Sequence, residues 1–141
     1  MNNYIDEIIK LANKSLNNKD IPVGAIIVKN NLIISIGYNT RVKNNDPIGH
    51  AEVIAIKNAC KYLNDWRLNG CDLYVTLEPC DMCLEIIKEV RINNIYYLVS
   101  NEEKHKYNKT NVRVLNNCNK YKKVYKDILT NFFKDNLNRG K

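Results

Sequence analysis

The sequence predicts a three-layer α/β/α domain on a central, mixed five-stranded sheet, and three observations predict it. Two β-rich runs, Ala25–Val28 and Leu32–Ile36, flank Asn30-Asn31, a pair suited to a two-residue hairpin turn. Beyond them, helical and strand periodicities alternate along the chain, as in a sheet layered with helices. Finally, Ile95–Val99 is almost continuously apolar, the pattern of a strand covered on both faces.

The elements follow in order. Asn3 can cap a first helix over roughly residues 4–17, with Ile5, Ile8, Ile9, Ala12 and Leu16 along one face. Pro22-Val23-Gly24 leads into the hairpin, and a polar loop runs from Tyr38 to Gly49. A second helix starts near His50, its stripe being Val53, Ile56, Cys60 and Leu63. Cys71–Leu77 suits a central strand that Glu78-Pro79 breaks, and a third helix follows with Cys83, Ile86, Ile87 and Val90 at helical spacing. Val112–Leu115 makes a shorter strand. Tyr121, Val124, Tyr125, Ile128, Leu129, Phe132 and Phe133 mark an amphipathic terminal helix.

A chain of 141 residues fits one domain, residues 1–141, and can bury a core. Hydrophobic residues at 45% and charged residues at 26% exclude wholesale disorder. No run is apolar enough to span a membrane, and Met1-Asn2-Asn3-Tyr4 lacks the basic start and apolar stretch of a secretory signal. The five cysteines, an odd number, do not make a disulfide framework, so Cys-x-x-Cys points to metal or redox chemistry in a reduced, cytoplasmic protein. The net charge of +7 favours a polyanionic partner. Basic residues gather in the last third, from Lys104 to Lys141, where several also suit the solvated face of the terminal helix.

His50-Ala51-Glu52 and Pro79-Cys80-Asp81-Met82-Cys83 carry the chemistry. One imidazole and two thiolates supply three ligands and leave the fourth tetrahedral position of a zinc ion open, as catalytic sites do. His50, Cys80 and Cys83 are therefore expected to hold one Zn²⁺ per subunit. His50 and Cys80 each fall where a loop enters a helix, and the free N–H groups there favour thiolate over thiol. Water on such an ion reaches a pKa of roughly 7, giving hydroxide as the nucleophile. Glu52 is expected to shuttle protons and not to ligate. Alone, Cys-x-x-Cys would more often be half of a structural zinc site or a redox pair. Neither accounts for the histidine–glutamate pair, and Cys60, Cys71, Cys118 and His105 lack the paired spacing of further ligands. Cys60 and Cys71 sit in apolar patterns and are expected in the core, and His105 in a solvated loop.

These motifs extend into a wider resemblance. Pro22–Val28, Gly37-Tyr38-Asn39, Asp46-Pro47, His50-Ala51-Glu52, Trp66-Arg67-Leu68, Leu73–Cys83, Arg91-Ile92 and Ile128–Lys134 resemble the bacterial tRNA-specific adenosine deaminases of the cytidine and deoxycytidylate deaminase superfamily. The resemblance covers most of the chain. It implies a cytidine-deaminase-like fold and a zinc-dependent hydrolase that converts adenosine to inosine at the wobble position of an arginine tRNA anticodon. It also implies a homodimer that needs no organic cofactor. Position by position, it makes His50, Cys80 and Cys83 the zinc ligands and Glu52 the proton shuttle. Asn39 would hydrogen-bond the flipped-out adenosine, with Ala51 as a second substrate-binding residue.

Two departures bear on the substrate. The family carries small residues after the second cysteine, whereas this chain has Leu84-Glu85-Ile86, so Glu85 could reshape the pocket or repel a phosphate. The segment from Ser100 to Asn111 is shorter than in the family, yet its lysines and Tyr107 could contact phosphates and a base. A deaminase of a free nucleobase, nucleoside or nucleotide (cytosine, guanine or deoxycytidylate) is the alternative. Cytidine deaminases usually place cysteine where His50 stands. A non-catalytic, zinc-stabilised RNA-binding subunit is a further alternative, for which Glu52 would have no use.

Overall fold

The computed structural model describes residues 2–101 and 111–139. A helix α1 (Asn2–Asn17) leads to the hairpin β1 (Gly24–Lys29) and β2 (Leu32–Tyr38), then α2 (Arg41–Asn44) and α3 (Ala51–Leu63). The chain continues through β3 (Cys71–Leu77), α4 (Asp81–Glu89), β4 (Asn94–Val99), β5 (Val112–Val114) and α5 (Asn119–Arg139). The sheet order is β2-β1-β3-β4-β5. β1 is antiparallel to β2 and β3, while β4 is parallel to both β3 and β5, so the sheet is mixed as expected. Asn30 and Asn31 both adopt positive φ, 52° and 64°, which is the turn geometry that matches strand twist in a two-residue hairpin.

Side-chain alternation distributes β1 and β3 between two apolar clusters. Ala25, Ile27, Leu73 and Val75 face α3 and α4, together with Ala55, Ala59 and Ile87. Ile26, Val28 and Tyr74 face the other way, against Ile5, Ile8 and Leu11 of α1 and Tyr125 of α5. Three layers result, because β1 is buried on both faces and each face needs helical cover.

Several expectations need correction. Helix α1 begins at Asn2, so Asn3 lies inside it and does not cap it, and its buried seam takes Leu11 and Ser15 where Ile9 and Leu16 are only partly covered. The polar loop before His50 contains the four-residue α2. Cys71 is buried, but Cys60 is only partly so; its thiol contacts the Trp66 carbonyl at 3.5 Å. On α5 the apolar stripe is narrower than its sequence suggests, since Val124 and Phe133 are 45% and 48% exposed. His105 and the lysine-rich run 102–109 fall outside the described residues.

Candidate active site

Two helix N-termini converge at one end of the sheet. His50 is the N-cap of α3 and Cys80 the N-cap of α4, each with an extended backbone that turns directly into its helix. Pro79 follows the end of β3 and aims α4, and Cys83 sits one turn inside. Helix α3 is seated by its close approach to β2. A Cβ on Gly37 would strike the Ala51 carbonyl and come 2.7 Å from the Ala55 nitrogen, so only glycine lets the two elements meet there. Ser35 reinforces the contact by donating its hydroxyl to the Ala55 carbonyl at 2.7 Å.

The convergence brings Nδ1 of His50 to 3.6 Å from Cys83 Sγ and 3.9 Å from Cys80 Sγ. The three ligand atoms lie within 4.8 Å of one another, and among the described residues this is the one such group of His, Cys, Asp or Glu. One borderline nitrogen and two soft sulfurs, aimed at a common point, fit Zn²⁺ with a position to spare.

Protonation is shared across the group. The Cys80 thiol is held well below its ordinary value, first by a hydrogen bond from Cys83 and then by one from His50. Cys83, the donor, is pushed up by that bond, by burial and by the Glu52 charge. His50 is raised, chiefly by its bond to Cys80, against the opposing effect of burial. Glu52 is buried, and that burial lifts its carboxyl to about 7; its own backbone amide, His50 and the Cys83 thiol pull the other way. A carboxyl poised near neutrality can both take and give a proton.

A cavity of about 220 Å³ opens over this group. His50, Glu52, Cys80 and Asn39 line it, as the sequence led one to expect, while Ala51 does not. Ala51 is fully buried, and its amide instead donates to Asn39 Oδ1 at 2.8 Å. Asn39 Nδ2 donates to the Ile21 carbonyl at 3.0 Å, so this carboxamide ties the strand exit to the α3 N-terminus. Each polar atom of Asn39 keeps capacity for a second bond. Glu85 is exposed and does not line the cavity.

Other lining residues escaped the sequence reading. Arg41 enters from α2, whose first amides are capped by Asp20: Val42 N donates to Oδ1 at 2.9 Å and Lys43 N to Oδ2 at 3.4 Å. Its position two residues after Asn39 was the available signal. Glu78, Leu77 and Asn101 contribute from the ends of β3 and β4, with the Asn101 amide donating to Glu78 Oε1 at 3.1 Å. Phe133 reaches in from α5, where its helical spacing had suggested core. Beside this cavity lies a second hollow of about 730 Å³ that shares Ile21, Asn39, Arg41 and Phe133 as lining.

Fold and site together define a zinc-binding deaminase domain. Residues 1–99 match the cytidine and deoxycytidylate deaminase zinc-binding region, and the chain belongs to that family. A curated relative, the tRNA-specific adenosine deaminase of Streptococcus pyogenes serotype M18, is 42% identical over 100 residues, 71% of this chain and 63% of that protein. The chain thus spans a little under two thirds of that relative's length. The tRNA-specific adenosine deaminase of Rickettsia bellii is 37% identical over 126 residues, 86% of each chain. Among solved structures, one from a study of A-to-I editing by tRNA:A34 deaminases superposes with a TM-score of 0.76 at 28% identity, covering 81% of this chain and 92% of that one. Guanine deaminase from Bacillus subtilis superposes with a TM-score of 0.67 at 39% identity, covering 70% of this chain and 64% of that one.

Proposed function

We propose that the protein is a hydrolytic deaminase that converts adenosine to inosine at the wobble position of a tRNA anticodon, with an arginine tRNA as substrate. The carrying observation is the 37% identity to a tRNA-specific adenosine deaminase over 86% of both chains. The site agrees with it. His50, Cys80 and Cys83 would hold the zinc ion, which when bound acidifies water to a pKa of roughly 7. Glu52 takes a proton from the attacking water and delivers it to N1 of the adenine ring as the C6–O bond forms. It then takes the remaining proton from the new C6 hydroxyl and passes it to the exocyclic amine, so that the C6–N bond breaks, the carbonyl of inosine forms and ammonia leaves. Asn39, with one N–H and one lone pair to spare, would bind the base.

A polynucleotide suits the surroundings better than a free base does. The cavity shares Arg41 and Phe133 with the adjoining hollow, which Lys19 also lines, so cation and aromatic face flank the reacting position on an open side. The net charge of +7 adds long-range attraction for RNA. The reading includes a cytoplasmic homodimer, for which the exposed Val42, Ile48 and Met82 leave apolar surface. Among the described residues no helix is long and apolar enough to cross a membrane.

The 39% identity to guanine deaminase favours a second reading, deamination of a free purine base. Incubating the purified protein with an arginine tRNA anticodon stem-loop and, separately, with guanine and free nucleosides decides between them. Inosine in the RNA supports the proposal; turnover of guanine with inert RNA would replace it with the second reading.

A further inference from the structure

We propose that Tyr125 is a positioning residue, whose hydroxyl holds two walls of the substrate cavity at a fixed separation by binding the Pro22 carbonyl. The inference rests on the reading that this cavity takes the substrate.

Tyr125 Oη donates to Pro22 O at 2.6 Å across 103 residues of chain, and the side chain is fully buried. The two residues flanking Pro22, Ile21 and Val23, line the cavity. So does Phe133, which stands on the helix of Tyr125 about two turns, roughly 12 Å, further along the axis. This hydroxyl, which also bonds the Thr76 side chain of β3, therefore connects the helix that carries one wall to the loop that forms another.

That loop leans on such contacts for its shape. It lies between α1 and β1, Pro22 has no N–H to donate, and among the described residues only Val23 O of its carbonyls also takes a backbone amide, that of Asn39 at 3.3 Å. Its three successive carbonyls are each taken by a side chain from a different element: Ile21 O by Asn39 at 3.0 Å, Pro22 O by Tyr125, and Val23 O by Ser15 at 3.2 Å. Asn39 and Ser15 both act from the N-terminal half of the chain. Tyr125 alone of the three brings in α5. The bond also gives α5 a fixed register on the loop, which apolar packing around the ring would leave free to slide.

Tyr125→Phe removes the hydroxyl and keeps the ring. Leu115→Ala, in the same apolar cluster but away from the cavity, serves as a comparison of general destabilisation. Zinc-loaded wild type and both variants are compared by amide hydrogen exchange and by steady-state kinetics on whichever of the RNA or purine substrates the wild type turns over. Tyr125→Phe should exchange faster at residues 21–25 and along residues 126–136. Its KM should rise about tenfold with kcat within about twofold and zinc content unchanged. Leu115→Ala should lower the melting temperature without that KM change. Exchange in Tyr125→Phe equal to wild type at both segments, or a KM effect matched by Leu115→Ala, would overturn the assignment. Loss of RNA turnover in the wild type would sink the substrate reading instead, and the exchange data would still decide the role of Tyr125.

Discussion

The Cys83 sulfur stands 3.6 Å from Nδ1 of His50, and of the two thiols Cys80 is held down and Cys83 pushed up, so that Cys80 is the more acidic. The group therefore receives a metal ion with protons still to lose, because both sulfurs must be thiolate and the imidazole neutral to ligate. Cys83 keeps its proton at neutral pH, and the raised His50 holds its own to higher pH than a free imidazole does. Zinc binding should release more than one proton per ion at pH 6, falling towards one as His50 deprotonates at higher pH. Titration calorimetry in buffers of different ionisation enthalpy measures this directly; zinc uptake without proton release would contradict it.

Glu52→Gln should retain zinc and lose activity by ~10²–10⁴-fold, the usual range for a positioned acid–base group. It should also change stability with a defined sign. Burial raises the folded-state value from 4.5 to about 7, so the neutral acid is what the fold favours. Stability from this group is complete below 4.5 and is lost as pH rises through about 7, because the unfolded chain ionises first. In the metal-free protein, the melting temperature of Glu52→Gln relative to wild type should therefore climb between those limits. A constant difference across them would show that Glu52 is not a raised carboxyl.

Asp20→Ala should cost about 0.5–2 kcal/mol in urea unfolding, the range for losing a helix cap. The carboxylate accepts from the second and third amides of α2 and is itself 2% exposed, so no water readily replaces it. Since α2 brings Arg41 to the cavity, KM should rise as well. Asp20→Asn should recover part of both, its side-chain oxygen still able to accept.

Gly37→Ala should destabilise by about 1–3 kcal/mol, the range for overpacking a filled interior. The added carbon meets backbone atoms of Ala51 and Ala55, which cannot turn aside as a side-chain tip could. The strain falls on the turn of α3 that carries His50 and Glu52, so zinc content measured by elemental analysis should drop below one per chain. Full zinc with unchanged activity would mean that α3 is seated by something other than this contact.

The local chemistry of the site was legible in the sequence because a metal demands specific atoms at short range. His50 and Cys80 sit at helix starts, and Cys83 is held one turn away by helical spacing, so the two motifs read with that periodicity located them. The strands were legible for a related reason: alternation in β1 and β3 serves two helical layers at once. Glu78 and Phe133 were not legible, because each reaches the cavity through tertiary packing, and Arg41 had only its nearness to Asn39 to mark it. Phe133 shares the spacing of the apolar stripe of α5, and nothing local distinguishes a ring that packs from one that lines a cavity. Cys60 shows the converse error. Its position on the α3 stripe suggested core, but it packs against the core only in part, its thiol meeting the Trp66 carbonyl.

The central claim, that these residues form a hydrolytic deaminase centre, is tested most directly by running the reaction in ¹⁸O-labelled water. The RNA is then digested and its inosine examined by mass spectrometry. One labelled oxygen at C6 of each inosine, released with ammonia and absent with Glu52→Gln, is the predicted result. Unlabelled inosine, or labelled inosine formed equally well by Glu52→Gln, would contradict it.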